Sequence, residues 1–228
     1  MQKLLKIGHR GAKGYVVENT LESIEKALEL HVDGVEIDVH LCASGELVVF
    51  HDFTLDRMTN GSGEVSKHTL TQLKQLKVKE RFVIPTLEDV IDLIDHRCFL
   101  NVELKGKNTA MQTCNVLKHY IDQKNWHKDD FLISSFQHHE LETVFKIDED
   151  FRLGVLTKAS VTDAIEFAST INAFAVHPNV ALLTKNNVKF AQQLGFKVYT
   201  WTVNDDGTID RMKAYGVDAI ISDVPDRL

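Results

Sequence analysis

Cysteine is scarce in this chain: Cys42, Cys98 and Cys114 are the only 3 in 228 residues, odd in number and without a Cys-x-x-Cys spacing. That argues against a disulfide framework and a cysteine-based zinc site, and leaves the three as small core residues. Positive charge is also short, with 26 Lys and Arg against 33 Asp and Glu and a formal net charge of -7. Nucleic acid and anionic membranes both reward a basic face, so neither is expected as a partner. A small anionic substrate would need a local positive patch instead. Long apolar runs are missing, and Met1-Gln2-Lys3-Leu4-Leu5-Lys6 leads straight into strand-like sequence. No signal peptide, membrane span or stable membrane anchor is expected, and a reduced cytoplasmic setting is the default. A homo-oligomer is compatible with all of this. Internal repeats and low-complexity tracts are absent too.

What the chain does have is 43% hydrophobic residues, enough for one substantial core and a single domain over residues 1–228. Short apolar or β-branched runs alternate with segments whose apolar residues recur at three-to-four spacing. That alternation predicts β-α units around a parallel sheet. The strand candidates are Leu4 to Gly8, Gly34 to Leu41, Phe99 to Leu104, Phe131 to Ser135, Arg152 to Leu156, Phe174 to His177, Lys197 to Thr202 and Ala219 to Ser222. Eight such runs point to an α/β fold of the TIM (β/α)8 barrel type, whose usual length of about 250 residues this chain approaches. Asn19 with Glu22, Thr86 with Asp89, and Ser160 with Asp163 resemble capping boxes that open amphipathic helices. Leu194-Gly195 and Tyr215-Gly216 look like helix stops.

Three places depart from the alternation. Leu47 to Phe50 reads as an extra strand, joined to Gly34–Leu41 by a turn at Ser44-Gly45. A two-residue turn there would set Asp38 opposite His51 and His40 opposite Val49. Residues 53–85, polar and containing Asn60-Gly61-Ser62-Gly63, read as a small inserted subdomain over the barrel mouth. Only six residues follow Ser222, which truncates the last helix.

Chemistry-bearing residues gather at the ends of the predicted strands, where barrels of this type place their reacting groups. His9 and Arg10 follow the first strand, Glu36 and Asp38 sit in the second, and Glu103 and Lys105 close the third. Residues two apart in a strand share a face, so Glu36 converges with Asp38, and Glu103 with Lys105. Clustered carboxylates repel one another unless a cation sits between them, and an all-oxygen set favours Mg²⁺ or Ca²⁺ over zinc. Arg10 and Lys105 could hold the remaining oxygens of a phosphoryl group. His9 and His51 could then divide the proton transfers, and Asp52 is a candidate to orient a ring, although neighbours in an extended segment face opposite ways.

At these residues the chain resembles the glycerophosphodiester phosphodiesterase family along almost its whole length. The matching motifs, in the family's order, are His9-Arg10-Gly11, Glu18-Asn19-Thr20, Gly34 to Val39, Val49 to Asp52, Pro85 to Glu88, Asn101 to Lys105 and Trp201 to Asn204. The resemblance implies a barrel with a small insertion after the His51 region. It implies one divalent cation on Glu36, Asp38 and Glu103, acid/base catalysis by His9 and His51, and phosphate contacts from Arg10 and Lys105. Asn19, Phe136 and Trp201 match positions near the substrate. The implied reaction hydrolyses diesters such as glycerophosphocholine or glycerophosphoethanolamine to glycerol 3-phosphate and an alcohol. Attack by the glycerol 2-hydroxyl and attack by water are both compatible with these residues.

Simpler readings stand beside some of these. Arg10 and Lys105 could be structural clamps on the carboxylates. Trp201 could be core rather than a wall for glycerol or a cation–π surface for a choline-like group. His177 could be a satisfied core histidine, and His40 shares the site's face by parity but lies beyond it. Two other functions keep the same residues: a lysophospholipase D-type phosphodiesterase, which needs an apolar acyl channel, and a barrel that only binds phosphodiesters.

Overall fold

In a computed structural model, described here for residues 3–228, the expected alternation closes into a ring. Strands β1 (Leu5–His9), β2 (Gly34–Leu41), β4 (Phe99–Leu104), β5 (Phe131–Ser135), β6 (Arg152–Thr157), β7 (Ala175–Pro178), β8 (Lys197–Thr200) and β9 (Ala219–Ser222) are parallel, and β1 pairs with both β2 and β9. This is a TIM barrel. The extra strand β3 (Leu47–Val49) lies antiparallel to β2, outside the ring. After β9 the chain makes only a 3-10 turn at Pro225–Arg227, yet four residues of β1 still pair with β9 and complete the barrel.

Strand parity sorts the side chains into two cores. In β2, Val35, Ile37 and Val39 face outward and are sealed by the helices, while Glu36 and Asp38 face the barrel interior. Helices α1 (Leu21–Glu29), α3 (Leu87–Ile94), α4 (Ala110–Gln123), α5 (His138–Ile147), α6 (Val161–Thr170), α7 (Lys185–Gln193) and α8 (Asp206–Tyr215) cover that outer layer with one apolar face each. Inside the ring, Ile7, Leu132, Tyr199, Ala219 and Ile221 form an apolar layer that floors the C-terminal mouth, where the acidic residues of β2 and β4 open. The helix starts follow the expected caps with one shift. Thr86 and Asp89 form a full capping box and Ser160 accepts from the Asp163 backbone, but α1 is capped by Thr20 rather than Asn19. Gly195 and Gly216 end α7 and α8 at φ values of 94° and 78°, conformations glycine adopts freely.

The hairpin register differs from the expected one by a residue. Val39 pairs with Val49 and His40 with Val48, because the loop is Ala43-Ser44-Gly45 with Gly45 at φ 100° rather than a two-residue turn. Asp38 therefore meets Phe50, whose N–H donates to the Asp38 carbonyl at 2.9 Å. A one-residue slip would turn His51 away from the site if the strand continued. It does not, because β3 stops at Val49 and the chain bends at His51–Phe53. Residues beyond the hairpin, including the short helix α2 (Leu70–Gln75), gather Leu55, Met58, Val65, Leu73, Val78, Phe82 and Ile84 into an apolar cluster against Val48 and Phe50.

His177 occupies the barrel interior and is fully buried, with neither ring nitrogen hydrogen-bonded. It fits because its neighbour on β6 is Gly154, where a Cβ would fall 2.6 Å from His177 Nε2. Burial drives its pKa down to about 3. The unfolded chain takes up a proton on this residue as pH falls through the ordinary histidine range near 6.5, and the folded protein does not until about 3. Stability is consequently lost across that window, by up to about 1.4 kcal/mol per pH unit from this residue. We expect urea unfolding midpoints of His177→Gln to fall less steeply than wild type between neutral pH and pH 4; parallel curves would contradict this.

Candidate active site

The first turn after β1 is built to aim groups inward. Arg10 has φ 52°, a left-handed conformation unfavourable for a side-chain-bearing residue, and it is held by its surroundings. Its N–H donates to Glu36 Oε2 at 3.0 Å, and its carbonyl accepts from the Asn19 N–H and the Ser23 hydroxyl. Gly11 follows at φ 84°, where a Cβ would collide with the Ser23 backbone at 2.5 Å. This places the Arg10 guanidinium over the carboxylates, with Nε 3.1 Å from Asp38 Oδ2 and Nη1 donating to Glu18 at 3.0 Å.

Glu36, Asp38 and Glu103 are all buried, and one oxygen of each lies within 4.8 Å of the others. Burial, then the charges of Asp38 and Glu103, push the Glu36 pKa well above the usual carboxylate range. Burial and Asp38 raise Glu103 to about 7. Asp38 is also opposed by burial, but Arg10, His51 and Lys105 keep it below its ordinary value. Lys105 donates to Glu103 at 3.0 Å and lies 3.7 Å from Asp38 Oδ1. Even so, Asp38 Oδ1 is buried without a hydrogen-bond partner. Three converging carboxylates with an unpartnered oxygen suit a hard divalent cation, which these described residues could hold. A second acidic group, Glu18 with His51 and Asp52, does not suit one, since Arg57 and Arg10 already engage its carboxylates.

Both histidines are oriented from behind. His9 Nδ1 is 2.6 Å from Asp223 Oδ1, and its Nε2 is 4.0 Å from Glu36. Asp223 is itself held by Asn204, which donates to its carboxylate and accepts from its backbone, each at 2.9 Å. His51 Nδ1 is 2.7 Å from Asp52, which is clamped by Arg57. Burial lowers the pKa of both rings, against the pull of the neighbouring carboxylates. Asp52 sits at about 2, chiefly through Arg57; Asp223 also sits at about 2, where burial opposes the shift but is overcome by His9, Asn204 and Lys13 together. Each Nδ1–H thus has a carboxylate to donate to, and Nε2 is the free nitrogen of each ring.

His9, Arg10, Glu36, His51, Glu103, Lys105, Phe136 and Trp201 all line one cavity of about 520 Å³ at the C-terminal mouth. Asp38 and Asn19 lie beneath it. Asn19 is 3% exposed and donates through Nδ2 to Asp38 Oδ2 at 2.9 Å, so it positions a carboxylate rather than forming the wall. His40 is likewise behind the site, with Nε2 3.3 Å from the His51 carbonyl. Sequence reasoning missed Asp223, Arg57 and Lys158. Asp223 was within reach of strand parity: Ala219, Ile221 and Asp223 continue one inward row past the end of β9. Replacing Asp223 with Asn keeps its shape and removes its charge. We expect kcat to fall about 10²-fold with KM little changed; an unaltered kcat would exclude a role in orienting His9.

A TIM barrel with two carboxylate-backed histidines, two cationic side chains and an acidic triad at its C-terminal mouth has the makings of an enzyme for an anionic substrate. Residues 9–227 match the model of the glycerophosphoryl diester phosphodiesterase family. A glycerophosphodiester phosphodiesterase from Caldanaerobacter subterraneus is 35% identical over 99% of this chain and 96% of its own. One from Bacillus subtilis is 30% identical over 98% and 85%. An Oleispira antarctica phosphodiesterase, solved with its product sn-glycerol-3-phosphate, superposes with a TM-score of 0.89 at 30% identity, covering 98% of this chain and 95% of that one. The chain belongs to the glycerophosphoryl diester phosphodiesterase family and is an enzyme of that type.

Proposed function

We propose that this chain hydrolyses glycerophosphodiesters to sn-glycerol 3-phosphate and an alcohol, with His9 and His51 as the acid/base pair. The observation that carries this reading is the pairing of each histidine Nδ1 with a carboxylate on the rim of one cavity that also holds Arg10 and Lys105. Glu36, Asp38 and Glu103 would hold one Mg²⁺ or Ca²⁺, which when bound supplies Lewis-acid stabilisation of charge on the phosphoryl group. The remaining steps belong to the side chains. Arg10 and Lys105 bind and orient the phosphoryl oxygens. One histidine Nε2 takes the proton of the attacking hydroxyl as its oxygen bonds to phosphorus. The other gives a proton to the departing alkoxide as its P–O bond breaks, and one water is consumed overall. Asp223 and Asp52 keep the rings in the tautomer and orientation this requires, and Asn19 steadies Asp38.

A soluble diester fits the cavity better than a lysophospholipid. Its apolar wall residues, Phe136, Leu156, Trp201 and Ile221, are interspersed with Lys13, Lys158 and Asn179 and form no continuous acyl channel. No helix among the described residues is long and apolar enough to cross a membrane, and we place the enzyme in the cytoplasm with small molecules as its substrates. The test is a coupled assay for sn-glycerol 3-phosphate over glycerophosphoglycerol, glycerophosphoethanolamine and glycerophosphocholine, with choline release from lysophosphatidylcholine followed in parallel. Release from soluble diesters is expected; release from the lysophospholipid alone, or from none, would overturn the proposal.

A further inference from the structure

Opposite the carboxylates, the cavity wall is carried by β5 to β8 and holds Phe136, Leu156, Lys158, Asn179 and Trp201. Gly154, Leu156 and Lys158 continue one row along β6, so Lys158 stands at the mouth, just past the strand end. Its Nζ is 5.9 Å from the centroid of the Phe136 ring, and Lys105 Nζ is 5.8 Å from the same centroid. Phe136 and Trp201 meet edge to face at 5.5 Å, and Trp201 Nε1 donates to the His177 carbonyl at 2.7 Å, which fixes the indole.

This aromatic pair is the natural place for a quaternary ammonium to bind, since a cation over such a ring gains about 0.5–2 kcal/mol. Here the ring already accepts two ammonium groups. Lys105 is paired with Glu103 at 3.0 Å and turned toward the carboxylates, whereas Lys158 is exposed at the mouth. A cationic alcohol drawn to either ring would stand beside that charge. A polyol instead meets hydrogen-bond donors from Lys158 and polar atoms of Asn179.

Resting on the reading of this site as a glycerophosphodiester hydrolase, we propose that its far wall selects the second alcohol by charge. It accepts uncharged polyols such as glycerol or inositol and discriminates against choline and ethanolamine, with Lys158 as the determinant. The selection is a repulsive element built against one class of substrate, not an added contact to the other.

The experiment compares kcat/KM for glycerophosphoglycerol, glycerophosphoinositol and glycerophosphocholine in wild type, Lys158→Met and Lys158→Glu. Wild type is expected to prefer the polyol diesters. The polyol-to-choline ratio should fall about threefold in Lys158→Met and about tenfold or more in Lys158→Glu, the range of one and two exposed charge contacts. Choline turned over as well as the polyols by wild type, or a ratio unchanged by charge reversal, would overturn this inference and leave the parent activity standing. Hydrolysis of no diester would overturn both. Because Lys158 is exposed, loss of folding does not confuse the result, and a general structural defect would lower all three substrates together.

Discussion

Replacing His51 with alanine is expected to lower kcat for diester hydrolysis by about 10²–10⁴-fold, the range of a lost general acid or base, with little change in thermal midpoint. His9→Ala is expected to do the same. The reason is geometric: each ring presents Nε2 to the cavity because Nδ1 is held by Asp52 or Asp223, and no other histidine lines that cavity. In the proposed mechanism the two act on one transition state, so the double variant should lose far less than the product of the single losses. Steady-state kinetics with purified variants decides this. A tenfold or smaller loss for either would remove that histidine from the proton-transfer pair.

Glu36→Gln is expected to produce the second large effect, on both activity and stability. Burial together with Asp38 and Glu103 raises the Glu36 pKa, so the folded protein holds a proton that the unfolded chain releases. Stability is therefore lost as pH rises above the ordinary carboxylate range, and a neutral isostere removes that loss. Without added cations Glu36→Gln should melt above wild type at pH 7.5. Adding millimolar Mg²⁺ or Ca²⁺ should raise the melting temperature of wild type and leave the variant nearly unmoved, because ligand binding stabilises only the form that binds. Activity should fall by about 10³-fold, equivalent to about 4 kcal/mol of lost transition-state stabilisation. Equal cation responses in the two proteins would exclude Glu36 as a ligand.

The barrel was readable in the sequence because parallel strands buried on both faces form short apolar runs, and seven of the eight barrel-strand candidates end within a residue of the observed ones. Lys197 to Thr202 runs two residues long, since Trp201 forms only an isolated bridge beyond β8. The triad was legible for a related reason: Glu36, Asp38 and Glu103 interrupt Val, Ile and Leu runs at inward parity. What parity could not supply was the hairpin loop. Whether Cys42 and Glu46 close a three-residue loop depends on Gly45 taking a positive φ, and composition allows either turn. His51 reached the site by a bend after β3 and not by the pairing expected of it. By sequence Asn19 fits a helix cap and a substrate neighbour, yet its backbone at φ 57° turns its amide onto Asp38. Arg57 was hidden for a different reason, since its partners Asp52 and Glu18 are brought together only by the folded insertion.

The central claim, that a divalent cation on Glu36, Asp38 and Glu103 works with His9 and His51 on a glycerophosphodiester, is tested most directly by sn-glycerol 3-phosphate release from glycerophosphoglycerol after chelation. Protein treated with excess EDTA and desalted should be inactive, and Mg²⁺ or Ca²⁺ should restore release. Full turnover in excess chelator would contradict the account.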